Sequence, residues 1–317
     1  MLKQLQDYIK DIQSGKVLTK SEGGFRPNSI RTYANAVRNY ESFVSSHADI
    51  DLKKMDLSRV QHRGGLAEQF EDHFRDFIEF LRGRGLKPNT IRETMLLINA
   101  MVRRYAERHY LLLPKVPIPK GEENPIITLP VDFVKTFINY DKYDEFSPEH
   151  RYLWEVCATM LVTSLRVSDA VAIRPEDLMI NGEVYLTKHN QKTGAKTTLP
   201  LPPQLYEKYL RNIEQYGSVY TKIDNEPLSF ISRYLRSFFA QFPEMNEEYQ
   251  GKKFYEIVHP HMLRKTAITT MLANGVSLDH VRFASGHKSD AIKRYQGWVD
   301  QTHKSEIHNY YKQFINS

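Results

Sequence analysis

The sequence predicts a mainly α protein with a small β-hairpin or sheet, which is an α+β fold. Over residues 1–112, apolar side chains recur every three or four positions and alternation of β-branched residues is scarce, as in amphipathic helices. Five prolines among charged residues interrupt this pattern between Leu113 and Pro130, where a helix cannot continue. After Pro130, helical patterns return on both sides of one stretch in which strand-like residues alternate. The chain is therefore expected to form a helical domain over 1–112, a proline-rich linker over 113–130 and a second domain with a C-terminal tail over 131–317.

The first domain is expected to contain four helices, over residues 2–13, 29–45, 66–82 and 89–110. Two of them open alike, with the sequences PNSIR and PNTIR. Ser29 or Thr90, or the asparagine before it, is expected to cap the helix. Arg31 or Arg92 then lies in the first turn, where the helix dipole disfavours a cation. A nearby phosphate would explain these arginines, and ordinary solvated side chains are the alternative.

The second domain is expected to combine buried helices with one hairpin. The stretch RYLWEVCATMLVTSLR has apolar residues on every side of the helix it would form, which indicates a largely buried helix. GEVYLTKHNQKTGAKTTLPLP alternates strand-like residues around Thr193-Gly194, which predicts a β-hairpin. From Pro203 to Ala284 the pattern is helical again, with one helix expected to begin at Pro260 and to end at Asn274-Gly275.

Composition limits the class of protein. The 317 residues are 41% hydrophobic, and no apolar run approaches the roughly 20 residues that a membrane helix needs. The first residues lack the apolar block of a secretory signal, so a cytoplasmic location is expected. Cys157 is the only cysteine; it cannot form an intrachain disulfide and is expected to be a small buried side chain. The formal net charge of +6 indicates an acidic partner, with nucleic acid ahead of a membrane.

Basic, histidine and tyrosine side chains of the second domain occur where they can converge on one phosphate. In chain order they are Arg166, Lys192, His261, Arg264, His287 and Tyr295. Two arginines can neutralise the non-bridging oxygens through paired hydrogen bonds, and a tyrosine can attack the phosphorus. The phenol must lose a proton and the leaving oxygen must gain one, which suits histidine and lysine. This chemistry requires no metal, nucleotide or other cofactor.

Each of these residues also has a structural interpretation. His261 or His287 alone is more often a hydrogen-bonded structural histidine, and only their occurrence together with two arginines favours catalysis. Other lysines flank Lys192 on both sides, so the pattern by itself also fits a solvated hairpin. His259 with the other two histidines would permit zinc. The single cysteine is distant and no H-x-x-x-H pair is present, which disfavours a metal site.

The motifs resemble those of the tyrosine recombinases, a family that includes phage integrases and chromosome-dimer resolvases. TSLRVSD is similar to the family's arginine turn, with Arg166 as its arginine and Asp169 as the acidic residue that braces it. Four other stretches resemble the family's hairpin, H-x-x-R helix, second histidine motif and tyrosine motif: QKTGAKTTLPLP, HPHMLRKTAITTMLANGV, ASGHKS and KRYQGW. The two PN-I-R helix openings resemble the family's core-binding domain. The resemblance covers nearly the whole chain, and five motifs in order are far more specific than any one of them.

The resemblance implies a helical SAM-like core-binding domain followed by a tyrosine-recombinase catalytic domain. It implies a site-specific recombinase that cleaves DNA through a 3′-phosphotyrosyl link, releases a 5′-hydroxyl and rejoins strands without an energy cofactor. The implied roles are nucleophile for Tyr295, phosphate clamps for Arg166 and Arg264, hydrogen bonding and proton transfer for His261 and His287, and general acid for Lys192. The implied partners are double-stranded DNA and, because two duplexes exchange strands, the other copies of a homotetramer. No membrane partner is expected.

The sequence departs from the family pattern in three places. Ser164 stands where the family usually has glycine, and Ser285 stands where it usually has leucine or a similar apolar residue. The interval from His287 to Tyr295 is one residue shorter than the commonest form, and one residue turns a helical position by about 100°. Tyr310 and Tyr311 in the tail are therefore alternative nucleophiles, although the local sequence KRY favours Tyr295.

Two other functions fit parts of the pattern. The short interval before Tyr295 would suit a DNA-binding relative that has lost catalysis and forms no covalent adduct. A type IB-like topoisomerase resembles the same pocket and would relax plasmid DNA that lacks a target sequence. The tail from Asp300 is expected to pack either on its own chain or on a neighbouring copy.

Overall fold

The computed structural model describes residues 1–17, 24–46, 64–123, 125–181, 183–189, 196–286, 292–297 and 299. The chain forms two compact units, Met1–Asn124 and Pro125–Ser317. Both are built mainly from helices, and the second also carries small antiparallel sheets, so the predicted α+β class is confirmed. Within the described residues, every helix is too short or too polar to span a bilayer.

The first unit contains helices at the four places where apolar periodicity predicts them. They are α1 (Leu2–Gln13), α2 (Pro27–Ser46), α3 (Gly64–Gly83) and α4 (Pro88–Arg108). Their apolar faces meet in a core rich in aromatic rings, including Tyr40, Phe43 and Phe77, which are fully buried. Burial of such large side chains is the main source of stability for a helical unit of this kind.

The predicted helix caps are wrong. Helix α4 begins at Pro88 with Lys87 as its N-cap residue and without a side-chain cap, so Thr90 lies inside the helix. Helix α2 likewise begins at Pro27, upstream of Ser29. Proline lacks an N–H group and has a helical φ, so it starts the helix two residues before the expected capping hydroxyl.

The proline-rich stretch packs partly on this first unit. Val116 is 5% exposed and belongs to its hydrophobic core. Asn89 Nδ2 donates to the Glu122 carbonyl at 2.9 Å, and Arg92 Nη1 lies 3.4 Å from the Pro119 carbonyl. A Cβ atom at Gly121 would lie 2.5 Å from Asn89 Oδ1, so a larger residue here would displace the side chain that binds the Glu122 carbonyl. Arg92, for which a phosphate is one expected partner, is exposed and lies beside the connecting segment.

Among its described residues the second unit contains eight helices and five strands, besides the helical residues 293–297. The helices are α5 (Val131–Ile138), α6 (Pro148–Thr163), α7 (Val167–Ala170), α8 (Pro203–Tyr216), α9 (Pro227–Phe239), α10 (Phe254–Ile257), α11 (Pro260–Ala273) and α12 (Leu278–Ser285). The strands are β1 (Leu178–Asn181), β2 (Glu183–His189), β3 (Lys196–Pro200), β4 (Glu248–Tyr249) and β5 (Lys252–Lys253). Three short 3₁₀ turns lie at Asp141–Glu145, Pro175–Asp177 and Pro243–Asn246.

Helix α6 is the buried helix that the sequence predicts. Eleven of its residues are buried, and Trp154 packs there with its Nε1 donating to the Phe137 carbonyl at 2.8 Å. Cys157 is fully buried, and burial raises the pKa of its thiol. The thiol is therefore a packing group, as expected. Glu155 is also fully buried, which the sequence pattern did not indicate.

The predicted hairpin is present as β2 and β3, which pair antiparallel with Lys188 opposite Thr197 and His189 opposite Lys196. An additional strand, β1, pairs with β2 to give the order β1-β2-β3. The four residues of β1 show too little alternation to predict a strand from the sequence. Residues 190–195, between β2 and β3, include Lys192 and lie outside the described residues.

Candidate active site

Arg166 lies just after the buried helix α6. The helix ends at Ser164, whose φ of 54° and ψ of 20° are left-handed, a conformation that glycine adopts most easily. This explains why glycine is the usual residue at that position in the family pattern. Arg166 is the N-cap residue of α7 and is 26% exposed, while Asp169 is fully buried with Oδ2 3.8 Å from Arg166 Nη1. Asp169 thus supports the arginine as the resemblance implies.

Helix α11 positions His261 and Arg264 in its first turn and a half. It begins at Pro260, as predicted, and ends at Ala273. His259 is its N-cap residue, and its Nδ1 accepts a hydrogen bond from the Met262 N–H at 3.2 Å. His259 therefore has a structural role at the start of this helix.

Arg264 connects the ends of two other helices. Its side chain is 1% exposed. Nη1 donates to the Ser164 carbonyl at 2.5 Å, and Nη2 donates to the Ser285 carbonyl at 2.6 Å. Those carbonyls lie at the C-termini of α6 and α12, where partial negative charge accumulates and attracts a cation. The guanidinium group is thereby fixed by backbone atoms from both sides.

The electrostatics of Arg264 show that several of the predicted residues converge. Burial, and after it the positive charge of Arg166, lower its pKa to about 10, although Tyr295 and Asp169 act in the opposite direction. Arg264 remains charged at neutral pH. Two guanidinium groups and a phenol from three separate segments thus interact in one region.

His261 lies in the same group of cations. His261 is exposed, yet partial loss of hydration and the charges of its neighbours, including Lys265, Arg264 and Arg166, together lower its pKa to about 4. The imidazole is therefore uncharged at neutral pH, where it can donate one hydrogen bond and accept another.

Tyr295 is buried near Arg264. It lies in the helical segment 293–297 and is 8% exposed. It packs in a small apolar cluster with Ile268, Leu272 and Val281 from α11 and α12. Burial raises the pKa of the phenol, while Arg264 and Arg294 lower it. The hydroxyl therefore requires a proton acceptor before it can act as a nucleophile at neutral pH.

Four of the predicted catalytic residues are described, and the structure brings them together: Arg166, His261, Arg264 and Tyr295. Lys192 and His287 lie outside the described residues, as do the alternative nucleophiles Tyr310 and Tyr311. The sequence analysis missed Lys265 and Arg294, which are the cations closest in sequence to Arg264 and Tyr295. Their adjacency to motif residues was the available signal. Among the described residues there is no group of three or more acidic, histidine or cysteine side chains that could hold a metal ion.

The cluster is suited to an anion with several oxygens. Two arginines can share its charge, a neutral imidazole can hydrogen-bond to one oxygen, and a phenol lies close enough to interact electrostatically with Arg264. These are the requirements for transfer of a phosphoryl group to a tyrosine.

Comparison with known proteins gives matches to the second unit and to most of the chain. The model of the phage integrase family matches residues 128–297. The tyrosine recombinase XerA of Pyrococcus furiosus is 26% identical over 254 residues, covering 76% of this chain and 82% of that protein. The tyrosine recombinase XerC of Chlamydia caviae is 20% identical over 322 residues, covering 95% of each.

Solved structures show the same fold. The recombinase XerH bound to its difH substrate has a TM-score of 0.61 at 14% identity, covering 94% of this chain and 82% of that one. The Tn1549 transposon integrase in complex with circular intermediate DNA has a TM-score of 0.65 at 16% identity, covering 92% and 94%. A lambda integrase tetramer bound to a Holliday junction has a TM-score of 0.62 at 18% identity, covering 93% and 77%.

Proposed function

Because this chain belongs to the phage integrase family of tyrosine recombinases, we propose that it is a site-specific recombinase that cleaves and rejoins DNA through a 3′-phosphotyrosyl intermediate. The observation that supports this most strongly is the convergence of Arg166, His261, Arg264 and Tyr295. Chain segments far apart in sequence contribute these side chains, so their convergence is not a consequence of local sequence.

In the proposed first step, the hydroxyl oxygen of Tyr295 attacks a backbone phosphorus. The new bond joins phosphorus to the tyrosine oxygen, the bond from phosphorus to the 5′-oxygen breaks, and the phosphate remains a diester. Arg166 and Arg264 hold the non-bridging oxygens. His261, with His287, hydrogen-bonds to the phosphate and assists removal of the phenol proton, and Lys192 gives a proton to the 5′-oxygen as it leaves.

The second step is the reverse of the first with a different strand. A 5′-hydroxyl from a partner duplex attacks the phosphotyrosyl phosphorus and releases the tyrosine. One diester replaces another at each step, so no nucleotide hydrolysis is required. Each arginine stabilises the negative charge of the transition state. Arginines in this role raise the rate of phosphoryl transfer by factors of about 10³ to 10⁵.

Exchange between two duplexes would need four active sites, so we propose a homotetramer on double-stranded DNA. The lambda integrase structures include a dimer bound to a core site and a tetramer bound to a Holliday junction. The formal charge of +6 favours binding to phosphate backbones, with an affinity that falls as salt concentration rises.

Covalent trapping tests the proposal. A library of DNA duplexes with a randomised central segment is first enriched for binding to the full chain. The enriched duplexes are then nicked near the centre, so that cleavage releases a short fragment and traps the protein on DNA. We expect an adduct that survives denaturing electrophoresis, and we expect Tyr295→Phe to abolish it while Tyr310→Phe and Tyr311→Phe leave it intact.

The alternatives give different results in the same experiment. Retention of the adduct by Tyr295→Phe would assign the nucleophile to another tyrosine. Specific binding with no adduct from any variant would indicate a DNA-binding relative without catalysis. Relaxation of a supercoiled plasmid that lacks the enriched sequence would indicate a topoisomerase.

A further inference from the structure

The arginine segment, residues 164–172, carries Arg166 and is held along its length by side chains of other elements. Helix α7 has only four residues, too few to be stable by itself. Three carbonyl groups of the segment each accept a hydrogen bond from a side chain of another element: Ser164 from Arg264 at 2.5 Å, Ala170 from Tyr220 at 2.8 Å, and Ala172 from Lys188 at 2.5 Å. Both ends of the segment are therefore fixed by cationic side chains.

Lys188 is the contact that joins this segment to the sheet. It lies on β2 and its side chain is 12% exposed. Besides the Ala172 carbonyl, its Nζ contacts Asp177 Oδ2 at 2.8 Å. The same carboxylate oxygen accepts the backbone N–H of Arg174 at 2.9 Å. Lys188 thus connects β2 both to the end of the arginine segment at Ala172 and to the 3₁₀ turn that contains Asp177.

Lys188 is not a solvated hairpin lysine, because its side chain is largely buried and paired. Its ammonium group is paired with a carboxylate and a carbonyl in a largely enclosed place. Such a charge is stabilised by its partners but would not normally be placed there for stability alone, since apolar side chains of similar size serve equally well. Lys196, which lies on the neighbouring strand β3, is exposed.

We propose that Lys188 is a positioning residue that fixes the backbone of the arginine segment and thereby the place of the Arg166 guanidinium. The catalytic meaning of this inference rests on the proposed function. Phosphoryl transfer depends on alignment, and a displacement of about 1 Å can lower a rate by roughly 100-fold. Lys188 acts through the Ala172 carbonyl and Asp177, and it does not contact the DNA phosphate.

The first test needs no DNA. The amides of Asp169, Ala170, Val171 and Ile173 are hydrogen-bonded within the segment, so their hydrogen exchange reports how firmly it is held. In the full chain, Lys188→Met should accelerate exchange across residues 166–173 and leave α6 unchanged. Lys196→Met, which removes the same charge from an exposed position, should leave all of them unchanged. Unaltered exchange in Lys188→Met overturns the inference, whether or not the protein is a recombinase.

The second test is a double-mutant cycle on the rate of covalent cleavage of the enriched duplexes. We expect Lys188→Met to lower the rate by about 10- to 100-fold with no more effect on the dissociation constant for DNA than Lys196→Met. Lys188→Arg should recover part of the rate because it retains charge and donors. In an Arg166→Ala background, Lys188→Met should have almost no further effect. Independent, multiplicative losses would show that Lys188 does not act through Arg166, and absence of cleavage by the unaltered chain would reject the proposed function instead.

Discussion

Replacing Arg264 tests whether a proposed phosphate clamp also stabilises the second unit. Hydrogen bonds that involve a charged group contribute about 1.5–3 kcal/mol each, and Arg264 makes two with buried carbonyls. Arg264→Met removes both and should lower the free energy of unfolding by about 3–6 kcal/mol, the sum of the two contributions. Arg264→Lys can keep one of the two bonds and should lose about half as much, because an ammonium group lacks the arginine's fork of donors.

Urea unfolding followed by tryptophan fluorescence measures this effect without DNA. Trp154 and Trp298 are the only tryptophans, and both belong to the second unit, so the signal reports on the part of the chain that contains Arg264. Arg236→Met is the matched control, since this exposed arginine also lies near a backbone carbonyl, that of Val258 at 3.5 Å. It should cost less than about 1 kcal/mol. The reasoning is refuted if Arg264→Met is no more destabilising than the control.

Three further results are expected. The pKa of His261 is about 4 when folded, below its ordinary value of 6.5, so its contribution to stability is present above pH 6.5 and lost as the pH falls towards 4. Unfolding at pH 7 and pH 5 should show a smaller loss of stability in acid for His261→Asn than for the control His280→Asn, which also replaces an exposed histidine. Gly121→Val should accelerate hydrogen exchange over residues 113–122, whereas Gly24→Val, whose added Cβ would meet no atom within 4 Å, should not. Cys157 should resist alkylation in the native protein and react only as fast as the unaltered chain unfolds, so rapid modification under native conditions would contradict its burial.

The sequence could predict the helices because their apolar periodicity is local. It could also predict four residues that the structure brings together, Arg166, His261, Arg264 and Tyr295, because their motifs occur in a fixed order. It could not predict the burial of Arg264, since its carbonyl partners lie 100 and 21 residues away. The contact between Lys188 and Asp177 was missed for the same reason. The starts of α2 and α4 were misplaced because proline, rather than a capping hydroxyl, determined them.

Glu155 illustrates a different limit. A single carboxylate within an apolar helix is expected to face solvent, yet Glu155 is fully buried and accepts hydrogen bonds from Tyr143, Asn212 and the backbone and hydroxyl of Thr221. Burial raises the pKa of this carboxyl, and the donors around it act in the opposite direction. Those donors come from distant segments, so only the assembled fold shows that a polar residue is tolerated there.

The packing of the proline-rich stretch affects how the halves of this protein can be studied separately. A fragment that stopped at Leu112, where the composition changes, would lack Val116 and so would expose apolar surface that the intact chain covers. It would also lose the carbonyls that Asn89 and Arg92 bind. A gene fragment extended through Glu122 would retain these contacts, and its product should be the more soluble of the two.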